Sequence, residues 1–357
     1  MKNGVKSDGC SSRSLSGVEG GAKYRNGFGM TVNIGVEKMK ILVVSDILEQ
    51  KHIEQIKKAV ALIGATVSFF KTEAEIPESD FDADVIYGFA PKIVSTSKTL
   101  KWLCVPWAGV DSLMKEGYFA NEDCILTNSA GSYGDSIAEH MIALSIVMMR
   151  KLDEFLAETR EGKWLLPRAQ KSLKNSRITV LGTGDIGKSF AKRARAFEPS
   201  QIVGVCRSGK CDSPYFDRIL SVSELDGVLG ETDLLAMCLP ATRETAGILS
   251  RKRIESLADG AFVVNVGRGS AIDEEALADN LESSHLDGAA LDVFQTEPLP
   301  KESRLWRTKN LLITPHVAGK LTLECTKDKN VEMFLEDLQN FASGKAMKYI
   351  VDKKLGY

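Results

Sequence analysis

The chain has 357 residues, long enough for two domains with separate cores, and its composition (43% hydrophobic, 26% charged, 10 Pro) is that of an ordinary globular protein, not a disordered one. A formal net charge of -2 gives no overall electrostatic pull on nucleic acid or anionic membrane, and no apolar run reaches the length of a spanning helix, about 18 residues. Seven cysteines, an odd count without a CxxC pair, argue against a disulfide scaffold or thiolate metal site and for a reducing compartment, so a cytoplasmic protein without structural metal is expected.

Residues 1–38 are rich in Gly, Ser, Asn and Lys without a sustained period and read as a flexible extension. From Met39 the pattern changes. Ile41-Leu42-Val43-Val44 is a strand, and 52–62 carries Ile53, Ile56, Val60 and Ala61 at helical spacing. Further strands follow at 66–70, 84–88 and 102–105, so strand and helix alternate through a first unit over 39–134. The segment 136–149 is a helix apolar on most of its surface, which predicts burial on several sides, as an interdomain bridge or in a homodimer interface. A loop with Gly162, Trp164 and Pro167 comes next. Strands at 178–181, 202–205, 233–239, 261–265, 288–292 and 311–314 then alternate with helical stretches in a second doubly wound unit over 135–318. Residues 319–357 close the chain with an amphipathic helix from about 323 to 341, expected to pack back on the first unit.

Within the second unit, Gly182-Thr183-Gly184-Asp185-Ile186-Gly187 lies between an apolar strand and a helix. Gly182 permits the tight turn, Gly184 leaves room for a pyrophosphate, Gly187 lets helix and strand approach, and the N–H groups opening the helix at Asp185 and Ile186 face the phosphates. The acid that usually meets the ribose 2′-hydroxyl is missing: the second strand ends Cys206-Arg207-Ser208-Gly209-Lys210. Arg207, Ser208 and Lys210 instead suit a 2′-phosphate, so NADP(H) is preferred and NAD(H) is the second choice. Leu239, Pro240, Val266 and Gly267 line the same crevice, and Thr242 and Thr245 either join them or act as turn residues. Asp292, at a strand end, either accepts from the nicotinamide amide or positions Arg268.

The chemistry falls to Arg268, Glu297 and His316. Of four histidines, His52 and His285 sit in polar, helix-edge contexts and read as surface residues, and His140 reads as packed inside the long helix. His316 follows a strand and Pro315, at the edge where α/β sites lie. An imidazole trades a proton near neutral pH, a carboxylate at Glu297 orients and stabilises it, and a guanidinium at Arg268 clamps a substrate carboxylate while drawing charge from a carbonyl. The set reads as a nicotinamide-dependent oxidoreductase of small 2-keto or 2-hydroxy acids.

Four motifs in order carry a resemblance to the D-isomer-specific 2-hydroxyacid dehydrogenase family over residues 40–357: Leu181 to Gly187, Asn265-Val266-Gly267-Arg268-Gly269, Ala290 to Phe294 with Glu297-Pro298-Leu299-Pro300, and Asn310 to His316. The resemblance implies a Rossmann dinucleotide-binding domain and a flavodoxin-like substrate domain split in sequence. It implies Arg268 as substrate-binding arginine, Glu297 as partner of the histidine, His316 as acid/base and Asp292 on the nicotinamide side. Ser136-Ile137-Ala138-Glu139 resembles the start of the family's interdomain helix, which contributes to a dimer. Pro106-Trp107-Ala108-Gly109-Val110-Asp111 resembles its substrate loop, whose N–H groups near Ala108 and Gly109 hold the substrate carboxylate opposite Arg268. Trp107 is large for this place; it either fills the pocket, favouring glyoxylate or hydroxypyruvate, or packs on the domain surface.

Three other readings share the fold. A dehydrogenase of a phosphorylated acid such as 3-phosphoglycerate needs a basic group near Trp107, for which Lys92 and Lys101 are candidates. A dinucleotide-sensing corepressor keeps the glycine motif but needs a peptide-binding cleft, and a formate dehydrogenase needs no pair like Glu297 and His316.

Overall fold

The computed structural model describes residues 38–164 and 168–356, with two further three-residue strands, β1 (Lys23–Arg25) and β2 (Thr31–Asn33), that pair antiparallel. The rest of the extension expected over 1–38 lies outside the described residues.

Two parallel sheets organise the chain. The first unit runs β3 (Lys40–Val44), α1 (Gln50–Leu62), β4 (Thr66–Phe70), β5 (Val85–Gly88), α2 (Pro91–Thr96), β6 (Trp102–Cys104) and β7 (Ile125–Thr127). Its strands lie in the order β4-β3-β5-β6-β7, the flavodoxin-like arrangement. Helix α3 (Gly134–Met149) and α4 (Leu152–Arg160) follow. The second unit runs β8 (Arg177–Leu181), α5 (Asp185–Ala194), β9 (Gln201–Cys206), β10 (Arg218–Ser221), α6 (Asp226–Leu229), β11 (Leu234–Met237), α7 (Arg251–Glu255), β12 (Ala261–Asn265), α8 (Glu274–Glu282), β13 (Leu286–Leu291) and β14 (Leu311–Ile313). Its order, β10-β9-β8-β11-β12-β13-β14, is that of the Rossmann fold with one added strand. Strands such as β12, Ala261-Phe262-Val263-Val264-Asn265, are buried at every residue, because helices cover both faces of a parallel sheet.

Helix α9 (Glu324–Ala342) returns to the first sheet. Val331, Phe334 and Leu338 are buried against Ile41, Val43, Tyr87 and Trp102, with the Phe334 ring 4.6 Å from Tyr87 and 5.4 Å from Trp102. Helix α3 packs on α5 through Ala138 and Met141 against Phe190, Ala191 and Ala194. Ile142, Ile146 and Val147 remain half-buried and Ala143 exposed, so part of its apolar surface faces outward.

Several elements differ from the sequence-based expectation. β7 and β10 were not anticipated: β7 has three residues, and β10 is an edge strand with only Leu220 buried, too short to show a period. Helix α4 occupies the start of the expected loop; none of its residues is buried, and Arg168 pairs with its Glu154 and Glu158. His52, expected at the surface, is fully buried. Its Nδ1 accepts from the Glu49 N–H at 3.1 Å and its Nε2 meets Asp328 on α9 at 2.8 Å. The inward face of α1 is therefore His52, Ile56 and Val60, with Ala61 turned out.

Candidate active site

A cleft opens between the carboxyl ends of the two sheets, at the points where strand order reverses. The first unit lines it with Ile47, Phe89 and the loop 106–112, the second with Leu239, Pro240, Val266, Gly267, Arg268, Asp292, Glu297 and His316. The chain crosses between the units at Tyr133 and again near Gly319. These crossings lie side by side: a Cβ built on Gly319 falls 3.0 Å from Ile137 Cδ1 and 3.6 Å from the Tyr133 ring.

His316 sits in the left-handed region, φ 52°, uncommon for a residue other than glycine, so the contacts that hold the turn there matter. Asp292 is the constraint. Its carboxylate, 1% exposed, accepts from Thr314 Oγ1 at 2.6 Å, Val317 N at 2.9 Å and Ala318 N at 3.0 Å, so it pins the turn on both sides of the histidine. Asp292 therefore does not position Arg268, one of its two expected roles; no hydrogen bond joins them. The expected neighbour of the imidazole is in place: Glu297 Oε2 lies 2.7 Å from His316 Nδ1, while Oε1 accepts from Phe294 N at 2.9 Å. With Nδ1 turned to the carboxylate, Nε2 is the nitrogen left for exchange. His140, on α3, meets Thr314 Oγ1 at 3.1 Å, in keeping with a packed histidine.

Arg268 follows β12 and crosses the cleft. Its Nη1 donates to Gly267 O at 2.8 Å, and Nε and Nη2 donate to Asp111 Oδ1 of the first unit at 3.1 and 2.9 Å. Gly109 makes the approach possible: a Cβ there would fall 1.4 Å from Nη2, so only glycine lets the guanidinium lie on this backbone. Asp111 was legible only as the end of a loop motif, because its partner is 157 positions away. Trp107 lines the cleft wall and packs edge-on against Phe89, ring centroids 5.6 Å apart.

The backbone around Trp107 is polarised. The carbonyls of Val105, Pro106, Trp107 and Ala108 accept hydrogen bonds from Ser129 Oγ, from Tyr133 Oη and Asn330 Nδ2, from Ser129 N, and from Asn128 Nδ2 respectively. The N–H groups of residues 107–111 donate to no acceptor among the described residues. A row of satisfied carbonyls and unpartnered donors beside a guanidinium suits a carboxylate.

On the cofactor side, Gly187 lies against Gly182 O, where a Cβ would fall 1.9 Å away, while a Cβ on Gly184 would meet nothing within 4 Å. The turn is thus closed on the sheet side and open above, as a pyrophosphate requires. The Asp185 carboxylate turns to the start of α3, both oxygens 2.6 Å from where a Cβ on Gly134 would stand, and burial raises its pKa from the ordinary value. Asp185 therefore offers a phosphate its backbone only. Arg207, Ser208 and Lys210 are exposed in the turn after β9, and the Ser208 hydroxyl is engaged with Lys210 N and O at 3.3 and 3.2 Å. Despite partial burial, hydrogen bonds from Thr183 and Ser208 hold the Cys206 thiol below its ordinary value. Thr245 behaves as a turn residue, its hydroxyl 2.6 Å from Pro240 O and 3.1 Å from Thr242 Oγ1.

Residues 142–318 match the family model for the NAD binding domain of D-isomer specific 2-hydroxyacid dehydrogenases. The chain is 30% identical over 299 residues to glyoxylate/hydroxypyruvate reductase A of Serratia proteamaculans, covering 79% of this chain and 90% of that protein. Among solved structures, a D-isomer specific 2-hydroxyacid dehydrogenase family protein from Aeromonas salmonicida superposes with a TM-score of 0.78 at 29% identity, covering 88% of this chain and 99% of that one. An NADPH-dependent glyoxylate/hydroxypyruvate reductase from Sinorhizobium meliloti, in complex with NADP and sulfate, superposes with a TM-score of 0.74 at 25% identity, covering 90% of this chain and 100% of that one.

Proposed function

This chain belongs to the D-isomer specific 2-hydroxyacid dehydrogenase family, and from that premise we propose that it reduces glyoxylate, hydroxypyruvate or a similarly small 2-keto acid to the D-2-hydroxy acid with NADPH. The observation that carries the reading is the Glu297–His316 pair at 2.7 Å, lining one cleft with Arg268 and the open amides of residues 107–111. The glycine turn after β8 and the basic turn after β9 would hold the dinucleotide, whose nicotinamide supplies the hydride when bound.

The amides of residues 107–109 and the guanidinium of Arg268, which crosses the cleft to lie on the Gly109 backbone, together hold the substrate carboxylate. Arg268 also withdraws charge from the carbonyl oxygen as it becomes an alkoxide. His316, protonated on both nitrogens, gives the Nε2 proton to that oxygen, and Glu297 stabilises the imidazolium and fixes the ring through Nδ1. In the oxidation direction the neutral Nε2 is the base. The site spans residues 39–134 with 319–357 on one wall and 135–318 on the other. Closure about the paired crossings, near 133–136 and 319–322, excludes water from the reacting atoms.

The outward apolar surface of α3, with Ile142, Ala143 and Ile146, supports a homodimer through 136–149; light scattering that gave a monomer mass at every concentration would refute it. No helix among the described residues is long and apolar enough to cross a membrane, and we place the protein in the cytoplasm, without nucleic acid as a partner. The primary test is a steady-state screen of glyoxylate, hydroxypyruvate, pyruvate, phenylpyruvate and 2-ketoisocaproate, each with NADPH and NADH. Turnover of glyoxylate or hydroxypyruvate with NADPH is expected, and no turnover of any of the five would overturn the assignment.

A further inference from the structure

We propose that Asn330 on α9 is a positioning residue for the substrate loop, acting through the Pro106 carbonyl; this rests on the reading of residues 107–109 as the carboxylate site. In a planar trans peptide the C=O of one residue and the N–H of the next point in opposite directions. Holding the carbonyls of Pro106, Trp107 and Ala108 therefore aims the N–H groups of Trp107, Ala108 and Gly109 the other way. Residues 128–133 of the first unit hold all three carbonyls, through Tyr133 Oη to Pro106 O at 2.5 Å, Ser129 N to Trp107 O at 3.0 Å and Asn128 Nδ2 to Ala108 O at 2.6 Å.

Asn330 is the one contributor from far along the chain. Its Nδ2 donates to Pro106 O at 3.1 Å across 224 positions. It is 1% exposed, and its amide orientation is set by Tyr87, whose Oη donates to Asn330 Oδ1 at 2.8 Å. Tyr87 is itself 1% exposed and stacked against Phe334. The chain Tyr87 to Asn330 to Pro106 ties the direction of the Trp107 amide to the seating of α9. Loss of the Asn330 amide leaves Tyr133 Oη as the one remaining donor to Pro106 O, which loosens the orientation of the 106–107 peptide and weakens the hold on the substrate carboxylate, while the cofactor turn is untouched.

The test compares Asn330→Leu, close to isosteric but unable to donate, with Tyr87→Phe, which removes the orienting bond and keeps the donor to Pro106. KM and kcat for the best keto acid, the NADPH Kd and the melting temperature are measured for both. Asn330→Leu is expected to raise KM about tenfold, the effect of one lost buried hydrogen bond, with kcat and NADPH Kd within about twofold. Tyr87→Phe is expected to lower the melting temperature as well, with KM within about twofold of wild type. If Asn330→Leu does not fold, Asn330→Ser, whose side chain falls short of Pro106, is read the same way. An unchanged KM in the Asn330 variant, or equal KM increases in both variants, overturns the positioning role. Wild-type protein that turns over no keto acid overturns the functional reading itself, and with it the role given to the loop.

Discussion

Arg268 and Asp111 meet across the cleft, with Nε and Nη2 of the guanidinium donating to the same carboxylate oxygen at 3.1 and 2.9 Å. An internal carboxylate thus occupies the fork that a substrate carboxylate or carbonyl would use, and it comes from the opposite wall. Both side chains are partly exposed, 25% and 45%, so the pair is modest in strength, about 1 kcal/mol or less.

Asp111→Asn is therefore expected to lower KM for the keto acid by about two- to fivefold, as Arg268 no longer has a charged competitor. Arg268→Ala is expected to raise KM and lower kcat together, and Arg268→Lys to recover part of each, since an ammonium lacks the planar fork. Steady-state kinetics on the three variants decide this. A higher KM in Asp111→Asn would mean that Asp111 organises the arginine instead of competing for it.

His316→Ala is expected to lower kcat for reduction by about 10²–10⁴-fold, the usual contribution of a general acid, with the NADPH Kd nearly unchanged. Loss of cofactor binding in step with activity would make the histidine a structural group.

Glu297→Gln keeps a hydrogen-bond acceptor at Nδ1 but removes the charge that favours the imidazolium. The alkaline limb of kcat/KM for reduction should move to lower pH, narrowing the active range. A pH profile with an unmoved alkaline limb would separate Glu297 from the proton transfer.

Cofactor choice is tested at the turn after β9. NADPH should exceed NADH in kcat/KM by at least about tenfold, one charged hydrogen bond being worth about 1.5–3 kcal/mol. Arg207→Ala should reduce use of NADPH far more than of NADH. Equal losses with both cofactors would place the 2′-phosphate elsewhere.

The attachment of α9 to α1 is expected to weaken in acid. Hydrogen bonds from Lys51 and then His52 hold the Asp328 carboxyl below its ordinary value. A depressed folded value means a contribution fully present above the ordinary aspartate range, about pH 4, and lost as pH falls through the folded value. Asp328→Asn should lower the melting temperature at pH 7, and the gap from wild type should close toward pH 3. A gap independent of pH would assign the effect to packing.

The parts legible in the sequence are those written locally. The glycine turn, the strand-end histidine and the motif arginine each sit in a run of fewer than ten residues, and the alternating apolar strands announced two parallel sheets. What stayed hidden depends on distant partners. His52 looked like a surface residue because its acid, Asp328, lies 276 positions away. The bonds by which Asp292 pins the turn at His316 were hidden because their donors belong to the turn 314–318. β7 and β10 show no period because three or four residues are too few to carry one.

The return of α9 to the first sheet also sets an order of events during synthesis. β3, β5 and β6 leave the ribosome early, yet the face carrying Ile41, Val43, Tyr87 and Trp102 meets Val331 and Phe334 only after nearly the whole chain has emerged. The seven-stranded sheet, continuous from Arg177 to Ile313, needs no such wait. The unit made first is thus completed last, and the part of its apolar face that α1 leaves uncovered is the surface that a nascent or C-terminally truncated chain presents to chaperones and to aggregation.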